Sequence, residues 1–153
     1  MRLIITVGLP GSGKSTYLAR LGVNAISSDE IRRLIADNPR EQTMNARIFA
    51  TVRYLVRQRL AAGREVTYVD ATHLTPWERK PYVRLAQRHG CELEALFFDV
   101  PVEICMGRNR ARERVVPEAA MKEMARRLVP PSESEGFTRV RTITPDDPPR
   151  KTL

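Results

Sequence analysis

Apolar residues recur along this chain in two alternating rhythms. Short β-rich runs bounded by glycine or polar turns, at 3–7, 24–27, 65–69, 91–99 and 137–143, read as strands. Between them, apolar positions spaced three and four apart predict helices over 14–21, 30–36, 41–62 and 76–89, another beginning at Pro101, and one over 117–128. Gly22, Gly63 and Gly90 supply stops, and Pro76 suits a first helical turn. The run 3–7 is almost unbroken in apolar character, as a strand covered on both faces requires. Strands separated by helices predict a three-layer α/β/α sandwich on a central parallel sheet. Ligands of such sheets bind beyond the carboxyl ends of the strands.

There is neither an internal repeat nor a linker that splits the pattern, so one domain is expected over 1–143. The tail 144–153 carries three prolines and little to bury, and is expected to be flexible. A chain of 153 residues buries roughly 68–70% of its unfolded surface, enough for a core without staples. Cys91 and Cys105 stand in no metal-like spacing and read as reduced thiols. The run 3–7 is too short for a signal segment, and no stretch reaches the ~18 apolar residues of a membrane helix. A soluble, cytoplasmic protein with no membrane partner is expected; its oligomeric state is not legible.

The net charge of +8 and pI of 10.2 match one footprint of a nucleic-acid partner. However, 22 of the 26 basic residues are arginines, a bias that codon usage or a hot habitat also produces. Charge alone therefore leaves the partner open.

Motifs narrow the chemistry. "GLPGSGKST" fills every position of the phosphate-binding loop G-x-x-x-x-G-K-[ST], between a strand and a helix. Gly11, Ser12 and Gly13 would turn backbone N–H groups toward phosphate oxygens, with Thr16 counted among the nucleotide-binding residues. Lys14 would reach the β- and γ-phosphates of ATP, and the Ser15 hydroxyl would hold Mg²⁺. In "SSDEIR", Asp29 leaves the second strand where a base could take a hydroxyl proton, and Arg32 could hold an anionic part of the acceptor. Equally, Ser27-x-x-Glu30 is a capping box, and Ser28 or Asp29 could cap the helix. Asp70, ending the third strand, is either a metal-side carboxylate or a cap of the following turn; His73 reads as a turn residue. The run "GRNRARERVVP" is either a solvated face or an arginine lid, with Arg108 and Arg112 on one helical face and Arg110 and Arg114 on the other.

Taken in order, "GLPGSGKST", "SSDEIR", "VDATHLTP", "FFDVP", "GRNRARERVVP" and "PPSESEGF" resemble the P-loop kinase domain of 5′-hydroxyl polynucleotide kinases of the phage and animal end-healing type, from Met1 to about Ile143. The resemblance implies ATP-dependent phosphorylation of a 5′-OH end of DNA or RNA. It makes Asp29 the general base, Arg32 a contact to the acceptor's phosphate, and Arg112 the lid arginine on the donor phosphates. Arg108 or Arg110 could take that last place, within a lid at about 107–128. Ser27-Ser28 stands where the family often has Asn-Arg, and His73 where Asn is common. Related kinases act on small metabolites, nucleosides or antibiotics, which is the alternative acceptor class; a nucleotide-dependent binding module is a third reading. The D-x-D-G-T motif of the bifunctional members' phosphatase is missing from this sequence, so no phosphatase activity is expected.

Overall fold

The computed structural model describes residues 1–38, 41–145 and 147. Five strands, β1 (Arg2–Val7), β2 (Ala25–Ser27), β3 (Val66–Asp70), β4 (Glu92–Phe98) and β5 (Arg139–Ile143), form one sheet in the order β2-β3-β1-β4-β5. Every pairing is parallel, with Ile5 opposite Val69 and Ala95. The helices are α1 (Lys14–Arg20), α2 (Ser28–Ala36), α3 (Asn45–Ala61), α4 (Pro76–His89), α5 (Val102–Asn109) and α6 (Glu118–Arg127). The three-layer α/β/α architecture is the one the alternating pattern predicts.

Strand periodicity explains the layers. Along β1, Leu3, Ile5 and Val7 face a cluster closed by Ile48, Val52 and Val56 of α3 and by Tyr82, Val83 and Ala86 of α4. Ile4 faces the opposite side, where Tyr17 and Leu18 of α1 pack with Tyr68, Leu96 and Phe98. A smaller cluster around α5 and α6, built on Leu9, Leu74, Val100, Cys105, Val116 and Met121, lies next to the phosphate loop. Both cysteines are free thiols whose pKa burial pushes up.

Several boundaries differ from expectation: α2 starts at Ser28 and not Glu30, and β5 at Arg139 and not Phe137. Helix α3 starts at Asn45 and not near 41, because the Glu41 carboxylate accepts the Thr43 N–H and hydroxyl at 2.8 and 2.6 Å and holds a turn there. Before β5, Glu133–Glu135 form a short 3₁₀ turn that closes on Gly136 at φ 114°. The tail begins with a turn in which the Thr144 N–H and hydroxyl both donate to the Asp147 carboxylate. The rest of the tail, with Asp146, lies outside the described residues. Among the described helices none is long and apolar enough to cross a membrane.

Arg79 ties α4 to the far side of the site. Its side chain is fully buried and meets the Glu135 carboxylate through Nε and Nη2 at 2.8 and 2.6 Å. Nη1 donates to the carbonyls of His73 and Val129 at 2.9 and 3.1 Å, so one guanidinium joins the loop after β3 to the chain leaving α6. Removing one member of a buried pair costs about 3–5 kcal/mol, because the other charge is left without compensation. Arg79→Leu is expected to lose stability of that order in urea unfolding, and adding Glu135→Leu should return part of it.

Candidate active site

The loop after β1 and the loop after β3 meet at Thr6. The Thr6 hydroxyl donates to the Ala71 carbonyl at 2.8 Å and accepts the Ala71 N–H at 3.1 Å, while its carbonyl takes the His73 Nδ1–H at 2.7 Å. The Gly8 N–H donates to the Thr72 carbonyl at 3.0 Å. Burial depresses the His73 pKa to about 4, so the ring is neutral at working pH. Its backbone is left-handed at φ 44°, and its ring stands edge-on to Tyr82. His73 is thus a buried strut, more than the turn residue its spacing suggests.

The phosphate loop then curls tightly over the start of α1. Gly11, at φ 78°, passes so close to α5 that a Cβ there would overlap the Cys105 carbonyl oxygen. Gly13, at φ 94°, forms the N-terminal cap of α1, and the helix therefore directs its first N–H groups into the cleft. Lys14 Nζ donates to the carbonyls of Gly8 and Leu9 at 3.1 and 2.7 Å. Burial, chiefly, brings its pKa down to about 8; Arg112 lowers it further, and Asp70 and Asp29 hold it up.

Ser15 Oγ donates to the Asp70 carboxylate at 2.5 Å. A hydroxyl and one carboxylate, both hard oxygen donors beside the phosphate loop, suit Mg²⁺, which takes few protein ligands and completes its shell with phosphate and water. Among the described residues no group of three acidic, histidine or cysteine side chains could hold a metal by itself. The α4 turn does not draw on Asp70 for its cap: Thr75 and Glu78 form a reciprocal capping box of their own.

Across the cleft, Ser27 caps α2 by accepting the Glu30 N–H at 3.3 Å. Asp29, relieved of capping, is gripped by two lid arginines, with Arg112 Nη2 at 3.1 Å from Oδ2 and Arg114 Nη1 at 2.5 Å from Oδ1. Arg32 is buried beside it and donates to the Glu41 carbonyl at 2.7 Å, leaving Nε without a partner. Lys14, Ser15, Asp29, Arg32, Asp70 and Arg112 all line a single open cleft of about 730 Å³.

The lid corrects one expectation. Helix α5 stops at Asn109, whose side chain bonds the Val116 carbonyl and N–H at 2.6 and 3.0 Å, and the intervening residues turn without forming a helix. Arg110 and Arg114 consequently do not share a face. Arg108, Arg112 and Arg114 line the cleft, whereas Arg110 points outward to Glu118. Sequence reasoning also missed Gln42, Asn45 and Phe49, which line the cleft from the turn before α3 and from its first turns. The only signal for Phe49 was an aromatic residue beside Ile48 on the first turns of an amphipathic helix.

The sequence profile of the AAA_33 family, an AAA domain, matches residues 3–131. No curated protein matches the chain. A chain in the structure of the Pnkp1/Rnl/Hen1 RNA repair complex is similar at a TM-score of 0.70 and 25% identity, over 83% of this chain and 43% of that one. This chain therefore spans less than half the length of that relative. A sugar kinase from a Janibacter species matches at a TM-score of 0.70 and 20% identity over 97% and 88% of the two chains. The APS kinase CysC of Mycobacterium tuberculosis, solved with AMPPNP and APS, matches at 0.57 and 19% over 95% and 89%. These last two likenesses show the fold alone.

A polyphosphate favours the charged form of Lys14, so its binding draws a proton whenever the free amine is neutral. The affinity for ADP, measured by calorimetry, is expected to be flat just below the Lys14 pKa of about 8. Above it, affinity should weaken by up to about tenfold per pH unit. Lys14→Met should bind more weakly and lose this slope.

Proposed function

Because the chain belongs to the AAA_33 family of AAA domains and has the fold of the P-loop kinases, we propose that it is an ATP-dependent 5′-hydroxyl polynucleotide kinase acting on DNA or RNA ends. The observation that carries this reading is the set of side chains that α2 and α3 bring to the cleft: a carboxylate (Asp29), a buried arginine (Arg32) and an aromatic ring (Phe49). The cleft is open and carries Arg108, Arg112 and Arg114, which leaves room and positive charge for an acceptor that extends beyond it. The likeness to a chain of an RNA repair complex supports the same class of acceptor.

In the proposed reaction the loop N–H groups and Lys14 hold the β- and γ-phosphates of ATP. Ser15 and Asp70 would hold Mg²⁺, which neutralises charge on the phosphates when bound. Arg32 binds the phosphate that follows the first nucleoside, and Phe49 packs against the nucleoside itself. Asp29 orients the 5′-hydroxyl and takes its proton as the new O–P bond forms and the bond from the γ-phosphorus to the β–γ bridging oxygen breaks, releasing ADP. Arg112 moves from Asp29 to the transferring phosphoryl group, where charge accumulates.

Incubation with γ-labelled ATP, Mg²⁺ and 5′-OH oligonucleotides tests this directly. Label should appear at the 5′ end of DNA or RNA. Asp29→Asn should lower kcat about 10²- to 10⁴-fold while ADP still binds, and Lys14→Ala should abolish transfer. Labelling of a sugar or another small alcohol, with every oligonucleotide left unlabelled, would overturn the acceptor assignment.

A further inference from the structure

Helices α3 and α4 lie side by side over the sheet, and both lead into strands that run toward the cleft. Their N-terminal ends therefore stand at the cleft's edge, where Asn45 and Phe49 of α3 and Glu78 of α4 form part of its lining. From that edge the two helices descend along the outside of the protein.

The outward positions of this layer are basic and aromatic. On α3, Arg47, Tyr54 and Arg57 are exposed and Arg53 is half-buried, with the Arg57 guanidinium 5.7 Å from the centre of the Tyr54 ring. On α4, Trp77, Lys80, Arg84 and Arg88 are exposed, Trp77 to 82% of its full accessibility. Helix α3 contains no acidic residue, and the one acid of α4, Glu78, is turned toward Arg127 of α6 at 3.5 Å.

A run of charge is ordinarily a solvated face. Elsewhere on the surface Arg33, Arg110, Arg126 and Arg127 each sit on a carboxylate, while Arg20, Arg64 and Arg139 have no ion pair among the described residues and no exposed aromatic ring on their own helix or strand. The six cations of the α3–α4 face have no such partner among the described residues. Cations without carboxylates, interleaved with flat exposed rings, form the surface that a single-stranded nucleic acid recognises through its phosphates and its stacked bases.

We infer that the outer α3–α4 face docks the single strand that trails away from the 5′ end held in the cleft. The inference rests on the polynucleotide reading above and adds to it where the strand goes. Arg47 to Arg57 spans about 15 Å of helix, long enough to follow a strand for a few nucleotides beyond the acceptor.

Trp77 is the single tryptophan of the chain, so its emission reports this face alone. The experiment compares a 5′-OH trinucleotide with a 5′-OH 20-mer at low salt, following transfer kinetics and Trp77 fluorescence together. The 20-mer should quench Trp77 and show a KM about tenfold below that of the trinucleotide, which should leave the emission unchanged. Arg57→Glu or Arg84→Glu should raise the KM of the 20-mer several-fold and flatten its log–log salt dependence by about 0.7 for each phosphate no longer neutralised. The trinucleotide kinetics, unaltered in both variants, report that each remains folded. Arg139→Glu on β5, at the sheet edge beyond β4, is the charge-matched control and should change neither substrate.

Equal KM values at both lengths, unaffected by these substitutions and accompanied by no quenching, would overturn the docking face and leave the polynucleotide kinase standing. Failure to label either oligonucleotide would overturn the kinase reading and the inference built on it.

Discussion

The site depends on the hydrogen bonds around Thr6. Parallel strands end with backbone groups that the ladder no longer serves, and here the Thr6 hydroxyl and carbonyl take up Ala71 and His73 just beyond the end of β3. The phosphate loop springs from the residue after Val7, and Asp70, which accepts the Ser15 hydroxyl, ends β3, so this clasp sets the distance between them. A histidine kept neutral by burial is a dependable donor across the working pH range. The left-handed backbone at His73 is tolerated because the ring is held by Thr6 and packed against Tyr82.

What was legible in the sequence was mostly local. Pro76 and Gly90 marked both ends of α4 to the residue, since each acts through its own backbone geometry. The phosphate loop was legible for the same reason, its glycines and lysine lying within seven residues of one another. Asp29 could not be decided between cap and base from the sequence, because Ser27, Ser28 and Asp29 are all competent caps; the structure gives that duty to Ser27. The lid resisted for a physical reason as well. Asn109 reaches forward to Val116 and ends α5, so the helical period that would have sorted the arginines stops applying where most of them begin. Arg32 was legible from its place one turn after Asp29, whereas Phe49 meets the cleft only through the packing of α2 against α3, which no pattern within either helix encodes.

The cleft is electrostatically uneven. Lys14, Arg20, Arg32, Arg108, Arg112, Arg114 and Arg127 line it, against the acidic Asp29, Asp70, Glu78 and Asp147. Such a surface suits a polyanion. The same fold occurs in solved structures of a sugar kinase and of an APS kinase, so the fold by itself does not name the acceptor.

The grip of Arg112 and Arg114 on Asp29 has a bearing on economy. A carboxylate left bare beside donor phosphates could also serve a water molecule, which would discharge ATP without product. On the proposed roles, Asp29 has both carboxylate oxygens engaged by guanidinium groups at 3.1 and 2.5 Å, which leaves a stray water little room to hydrogen-bond to it in line. An acceptor that carries its own phosphate can draw an arginine away; a water molecule cannot. The ion pairs that hold the lid in place would then also keep futile hydrolysis slow until the right end of a strand arrives.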